Sequence, residues 1–177
     1  MVAEKYGATI PFMRPSNLAD DHTATAPVIA HAVNWFLQKD IHVDSVCCIY
    51  ATAPFINSND ILYGLKQLQE SSCEYAFTVT SFPFPIQRAI RINAKGRVEM
   101  FYPEHFHSRS QDVEEAFHDA GQFYWGRPQS WLEGKPAFST NSIPIVLPRH
   151  RVQDIDTPED WERAELMFKA LSLADIK

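Results

Sequence analysis

Ser45-Val46-Cys47-Cys48-Ile49-Tyr50-Ala51 is the stretch on which the fold class turns. The run is short, largely apolar and bounded by Pro54, so it reads as a buried strand of a parallel sheet. A helix follows from Asn57 to Glu70, opened by Asn and Ser residues of the kind that cap helix starts. Glu74 to Ser81 is again rich in β-formers. Strand, helix and strand in succession define an α/β sheet domain. Outward from there, a helix spans about Ala24 to Lys39, with Val28, Ala32, Trp35 and Phe36 on one face. Val2 to Tyr6 is the tail of a helix closed by Gly7, and Thr9 to Phe12 is a short extended piece. Towards the C-terminus, Gln122 to Trp125 and Ile143 to Leu147 read as strands. Pro128 to Leu132 is a helical turn, and Pro158 to Leu173 an amphipathic helix.

From Phe82-Pro83-Phe84-Pro85 the alternation breaks. Arg88 to Ile92 and Arg97 to Tyr102 form a hairpin around Asn93-Ala94-Lys95-Gly96. Pro103 to Asp119 is polar, His-rich and irregular. The spacing thus predicts one domain over residues 1–177, carrying an inserted arm between about Phe82 and Asp119.

The chain has 177 residues, 45% of them hydrophobic and 21% charged, with a net charge of −6. Those values fit a globular domain with its own core and argue against general binding to nucleic acid or anionic membranes. No apolar run is long enough to span a bilayer, and Met1 to Tyr6 has no signal-peptide character. Three cysteines, two of them adjacent, make neither a disulfide framework nor a zinc site. Cys47 and Cys48 face opposite ways on a strand, so buried free thiols and a cytoplasmic location are expected. His105 and His107 flank Phe106 without a third ligand at zinc spacing. None of the six glycines belongs to a phosphate-cradling loop.

Asp154-Ile155-Asp156-Thr157-Pro158-Glu159-Asp160-Trp161 carries the most chemistry. In an extended run Asp154 and Asp156 share one face while Ile155 turns towards the core. Thr157 reads as an N-cap and Pro158 as the first helical residue. Two carboxylates on one face can hold a hard cation, with the remaining positions left to water and phosphate, as Mg²⁺ prefers. They can equally be acids gathered at the positive end of a helix. Spacing alone leaves both readings open.

Three further segments join it: Arg14-Pro15-Ser16-Asn17-Leu18-Ala19-Asp20-Asp21-His22-Thr23, Cys47 to Phe55, and Asp119-Ala120-Gly121-Gln122-Phe123-Tyr124-Trp125-Gly126. In this order and spacing the four segments resemble the acylneuraminate cytidylyltransferases over nearly the whole chain. The branch they resemble most is the one that activates pseudaminic acid. The resemblance implies a Rossmann-like nucleotide-diphospho-sugar transferase fold with an inserted dimerisation arm, acting as a homodimer in the cytoplasm. It implies transfer of CMP from CTP to a sugar hydroxyl with release of pyrophosphate. Asp154 and Asp156 then match the acids that hold Mg²⁺ and act in catalysis, and Arg14 and Thr25 match residues of the nucleotide pocket. Tyr50 and Thr52 stand where the sialic branch has Gln-Pro-Thr-Ser-Pro, which favours pseudaminic over N-acetylneuraminic or legionaminic acid as substrate. Gln87, Arg88, Arg109, Gln111, His118 and Gln122 are the candidates for the sugar and its carboxylate, the arginines by bidentate pairing.

One departure from the family stands out. Relatives begin with a strand and a loop resembling A-R-G-G-S-K that cradles the triphosphate, and nothing among these residues matches it. The resemblance therefore implies an N-terminally truncated sheet and little or no turnover by this chain alone. Three readings stay open: a fragment of a full enzyme, one half of a split enzyme, or a non-catalytic sugar- or nucleotide-binding or dimerisation module.

Overall fold

The computed structural model describes residues 2–174, so the expected unit over 1–177 extends past it at both ends. Among the described residues there are five α-helices and six strands: α1 Val2–Lys5, α2 Thr25–Leu37, β1 Val46–Ile49, α3 Ser58–Glu70, β2 Tyr75–Ser81, β3 Ile90–Ile92, β4 Val98–Met100, β5 Phe117–Gly126, α4 Pro128–Leu132, β6 Ser142–Val146 and α5 Pro158–Ala174. The Asn57 side chain accepts from the Asn59 amide at 2.8 Å and so caps α3, as its position before Ser58 requires.

A four-stranded sheet of order β1-β5-β2-β6 forms the centre. β2 runs parallel to β6, whereas β5 lies antiparallel to both β1 and β2. The α/β class therefore holds, with a mixed sheet. The expectation of a buried parallel strand at Ser45 to Ala51 is corrected: among the described residues β1 has β5 as its only neighbour, runs antiparallel to it, and leaves Ile49 exposed. The apolar run has another cause. Cys48 packs with Ala26 and Ile29 of α2 on one face, and Cys47 with Ile61 of α3 on the other. An uninterrupted apolar strand reports two covered faces, not the number or direction of its neighbours.

Two cores flank the sheet. Tyr75, Phe77, Val79, Tyr124 and Trp131 fill one side, and Leu68, Ala76, Phe123, Ile145 and Leu147 fill the other. Successive residues of β5 thus serve opposite cores, and burial of Phe123 alone contributes about 1.5–3 kcal/mol. Close packing explains Gly126: a Cβ there would lie 2.4 Å from Trp131 Nε1.

The arm leaves β2 at Phe82 and closes where the Phe82 amide donates to the Ala116 carbonyl at 3.0 Å. Its hairpin β3–β4 is a separate two-stranded sheet. The arm ends earlier than expected, because Phe117, His118 and Asp119 already belong to β5. Alternation hid that part of the strand, since polar residues and a left-handed Gly121 (φ 60) interrupt it. Among the described residues no helix is long and apolar enough to cross a membrane.

Arg127, just past β5, ties the α3–β2 connection to the sheet. Its guanidinium donates to the carbonyls of Cys73 at 2.8 Å, Leu68 at 3.1 Å and Ser71 at 2.7 Å. Arg127→Ala is expected to destabilise the fold by about 2–3 kcal/mol, read as a lower urea midpoint at unchanged slope. Arg127→Lys recovers only part of that loss, because a point charge cannot reproduce the planar fork.

Candidate active site

The site is built on an irregularity in β5. Phe77 pairs with Tyr124 and Val79 with Asp119, so Thr78 alone on β2 faces Ala120 to Phe123 on β5. Thr78 holds the Phe123 end of this bulge to the sheet. Its hydroxyl accepts from the Phe123 amide at 3.3 Å and lies 3.4 Å from the Phe123 carbonyl. Inside the bulge the Asp119 carboxylate accepts from the Gly121 amide at 2.8 Å. Gln122, 2% exposed, donates from Nε2 to the Arg151 carbonyl at 2.6 Å. That bond draws in the segment leading to Asp154.

Asp154 and Asp156 are exposed and Ile155 is half-buried, as alternation requires. Both carboxylates line one cleft of about 670 Å³, together with His118, Asp119, Arg149 and Asp160. The Asp154 carboxylate lies against Gly121, 3.6 Å from where a Cβ would stand. Behind it, Arg151 pairs with Asp60 of α3 at 2.6 Å.

A reciprocal cap then begins α5. The Asp160 amide donates to the Thr157 hydroxyl at 3.3 Å, and Asp160 Oδ2 accepts from the Thr157 amide at 2.9 Å and hydroxyl at 2.7 Å. The Thr157 hydroxyl, followed by the backbone amides of Asp156 and Thr157, holds the Asp160 carboxyl below its usual range.

A second pocket of about 320 Å³ is lined by Thr25, Tyr50, Tyr124, Trp131 and Phe138. Tyr50 stacks on Tyr124 at 5.8 Å, and Tyr124 on Phe77 at 4.9 Å. Burial raises the Tyr50 phenol, partly offset by its hydrogen bond with Thr25. Burial also raises Tyr124, reinforced by its hydrogen bond to Asp119. A third hollow joins the two, sharing His118 and Asp119 with the acidic cleft and Ala137 and Phe138 with the tyrosine pocket. Shared lining residues thus link the aromatic pocket to the acidic cleft as a groove of adjoining hollows.

Of the residues expected from sequence, Thr25, Tyr50, His118, Asp154 and Asp156 line this groove, with Gln122 buried beneath it. Arg14 lies exposed in the N-terminal segment, near enough to Asp20 to lower that carboxyl, after the His22 amide and the Thr23 hydroxyl and amide. Thr52 is exposed beyond β1, and Arg88, Arg109 and Gln111 are exposed on the arm. Gln87 donates to the Glu114 carbonyl at 3.0 Å, and its Oε1 is buried without a hydrogen-bond partner. Gln111 lines a separate hollow of the arm with Phe84 and Glu114, and Pro83 of the arm reaches the rim of the acidic cleft. Sequence reasoning passed over Asp119. Asp followed two residues later by Gly is the signature of a side chain bonding its own backbone, and could have found it.

The donor set suits a hard cation. Among the described residues no three His, Cys, Asp or Glu side chains gather to chelate an ion by themselves. Two carboxylate donors with open positions fit Mg²⁺, which keeps several waters and is shared with substrate phosphates.

No family model matches the chain. It is 41% identical over 168 residues to the pseudaminic acid cytidylyltransferase of Campylobacter jejuni, covering 95% of this chain and 72% of that protein. It is 33% identical over 155 residues to a Helicobacter pylori protein named pseudaminic acid cytidylyltransferase and UDP-2,4-diacetamido-2,4,6-trideoxy-beta-L-altropyranose hydrolase, covering 87% and 29% of the two chains. The CMP-N,N'-diacetyllegionaminic acid synthase of Legionella pneumophila is 25% identical over 172 residues, covering 95% of this chain and 72% of that protein.

The cap makes a prediction about pH. With its folded pKa below the ordinary 3.8, Asp160 contributes stability that is present above that value and lost as pH falls through the lower one. Carboxyl chemical shifts are expected to place the Asp160 midpoint below 3.8, and Thr157→Val to move it upward. A midpoint unmoved by Thr157→Val would show that the cap does not hold the charge.

Proposed function

The chain belongs to the pseudaminic acid cytidylyltransferase family, and we propose that it transfers CMP from CTP to pseudaminic acid, releasing pyrophosphate. The observation that carries this reading is the row of adjoining hollows that links the Asp154 and Asp156 carboxylates to the pocket of Thr25, Tyr50 and Tyr124. The anomeric hydroxyl of the sugar attacks the α-phosphorus, and an O–P bond forms as the bond to the β-phosphate oxygen breaks. The hydroxyl proton passes to solvent, and pyrophosphate leaves with the electron pair. Chemistry of this kind is mostly positioning and charge stabilisation.

Asp154 and Asp156 are the residues that would hold Mg²⁺, whose contribution when bound is positive charge beside the phosphate oxygens. The aromatic end orients the organic parts of the substrates: Thr25 and Arg14 serve the nucleotide, Tyr50 and Thr52 the sugar. His118 and Gln122 border the sugar side. Gln87, Arg88, Arg109 and Gln111 come from the arm, and recognise the sugar carboxylate of a neighbouring subunit. A homodimer through the arm is supported by its exposed Ile90, Ile92, Val98 and Phe106, an apolar surface of the kind that interfaces cover. Three free cysteines support a reducing, cytoplasmic setting.

The test is pyrophosphate release from CTP and Mg²⁺ with pseudaminic, N-acetylneuraminic and legionaminic acids. It is run on this chain and on a form extended by the phosphate-loop segment of a relative. Turnover with pseudaminic acid in preference to the others is expected in the extended form, and Asp154→Asn or Asp156→Asn should lower it by roughly a hundredfold or more. Failure of both forms with all three sugars overturns the reading.

A further inference from the structure

Asp119 does something that neither the sequence match nor the proposed reaction assigns to it. Its carboxylate is half-buried at the foot of the β5 bulge and accepts from the Gly121 amide at 2.8 Å. The Tyr124 phenol, raised chiefly by burial, lies near enough to Asp119 for that charge to raise it further. Tyr124 is rigidly held in turn, sandwiched between Tyr50 and Phe77. One carboxylate thus fixes the turn at Gly121 and stands beside the aromatic end of the groove. Its immediate neighbour, His118, is turned aside: Nδ1 lies 2.8 Å from the Asp119 carbonyl and the ring packs on Phe82 at 4.7 Å.

The turn at Gly121 is the seat of Asp154. Gly121 adopts φ 60, a conformation that suits glycine, and the Asp154 carboxyl carbon stands 3.6 Å from where a Cβ would project. With Gln122 bonded to the Arg151 carbonyl, the bulge and the segment bearing Asp154 are joined at two places. Asp119 is no third ligand by proximity, since no three acidic or imidazole groups among the described residues form a chelating set.

We propose that Asp119 is a positioning residue, which shapes the Gly121 turn so that the Asp154 carboxylate is presented to a divalent cation. The inference rests on the proposed role of Asp154 as a cation ligand. Bulges beside active sites re-aim side chains, and here the re-aimed group belongs to a different segment of the chain. Asp119 acts by accepting hydrogen bonds, a task that an asparagine oxygen can also perform.

The experiment titrates Mn²⁺ into the chain, with the spin-resonance signal of free Mn²⁺ reporting binding and circular dichroism reporting folding. The unmodified chain is expected to bind and Asp154→Ala to lose binding. Asp119→Ala should weaken binding by about tenfold at unchanged fold, the usual cost of removing a group that orients a metal ligand. Asp119→Asn should stay within about threefold of the unmodified chain, because the Gly121 amide keeps an acceptor. Binding by Asp119→Ala equal to that of the unmodified chain overturns the positioning role, as does an Asp119→Asn variant as weak as Asp119→Ala. If Asp119→Ala does not fold, Gly121→Ala decides the matter: a tenfold loss supports the seat and an unchanged affinity overturns it. Equal binding by the unmodified chain and Asp154→Ala instead removes the cation-ligand reading itself, and the positioning role with it.

Discussion

The mismatch between Thr78 and the four residues facing it is the constraint on which the rest of the site depends. A regular ladder at that point would carry β5 straight past β2, with Gly121 flat in the sheet. The extra length forces the strand outward, and Thr78 stops the distortion from spreading by bonding Phe123 on both its amide and carbonyl sides. Buried at 0% exposure, that hydroxyl has no water to turn to, so its bonds are costly to break. Beyond the bulge the sheet resumes its register with β1, from Ile49 opposite Phe123 to Val46 opposite Gly126. The irregularity is local, and it is bounded by two fully formed cores.

Most of the elements could be read from the sequence because their signals are local. Thr157-Pro158-Glu159-Asp160 announced the start of α5, and the bonds of Thr157 and Asp160 close it. Asn57 did the same for α3, and Pro128 to Leu132 forms α4 with the bounds its pattern suggested. Strand direction was not legible, because an apolar run such as Val46 to Ile49 is set by the helices above and below it. The first part of β5 escaped for a related reason. His118 and Asp119 are polar because they face a groove, and polarity in a strand resembles a loop.

The site residues divide along the same line. Asp154 and Asp156 were legible from alternation and the neighbouring cap. Asp119 and Asp154, by contrast, are brought together only by tertiary structure, since 34 intervening positions separate them in the sequence. The side chain of Gln122 is spent on the Arg151 carbonyl, a pairing no local pattern could foretell. The arm is the opposite case. Its hairpin was plain from Asn93 to Gly96, where the Asn93 side chain accepts from the Lys95 and Arg97 amides, yet its exposed apolar residues need a second body to acquire meaning.

The cap of α5 also governs how charge can enter the groove. A helix start ordinarily offers free amides to an anion. Here Asp160 supplies its own negative charge to the Thr157 amide, and Asp154 and Asp156 stand in front of it. A bare triphosphate arriving at this end meets like charge. Under the proposed function, the ion at Asp154 and Asp156, with Arg149 and Arg163 of the same cleft, offsets charge that the first turn of one helix would otherwise set against the nucleotide.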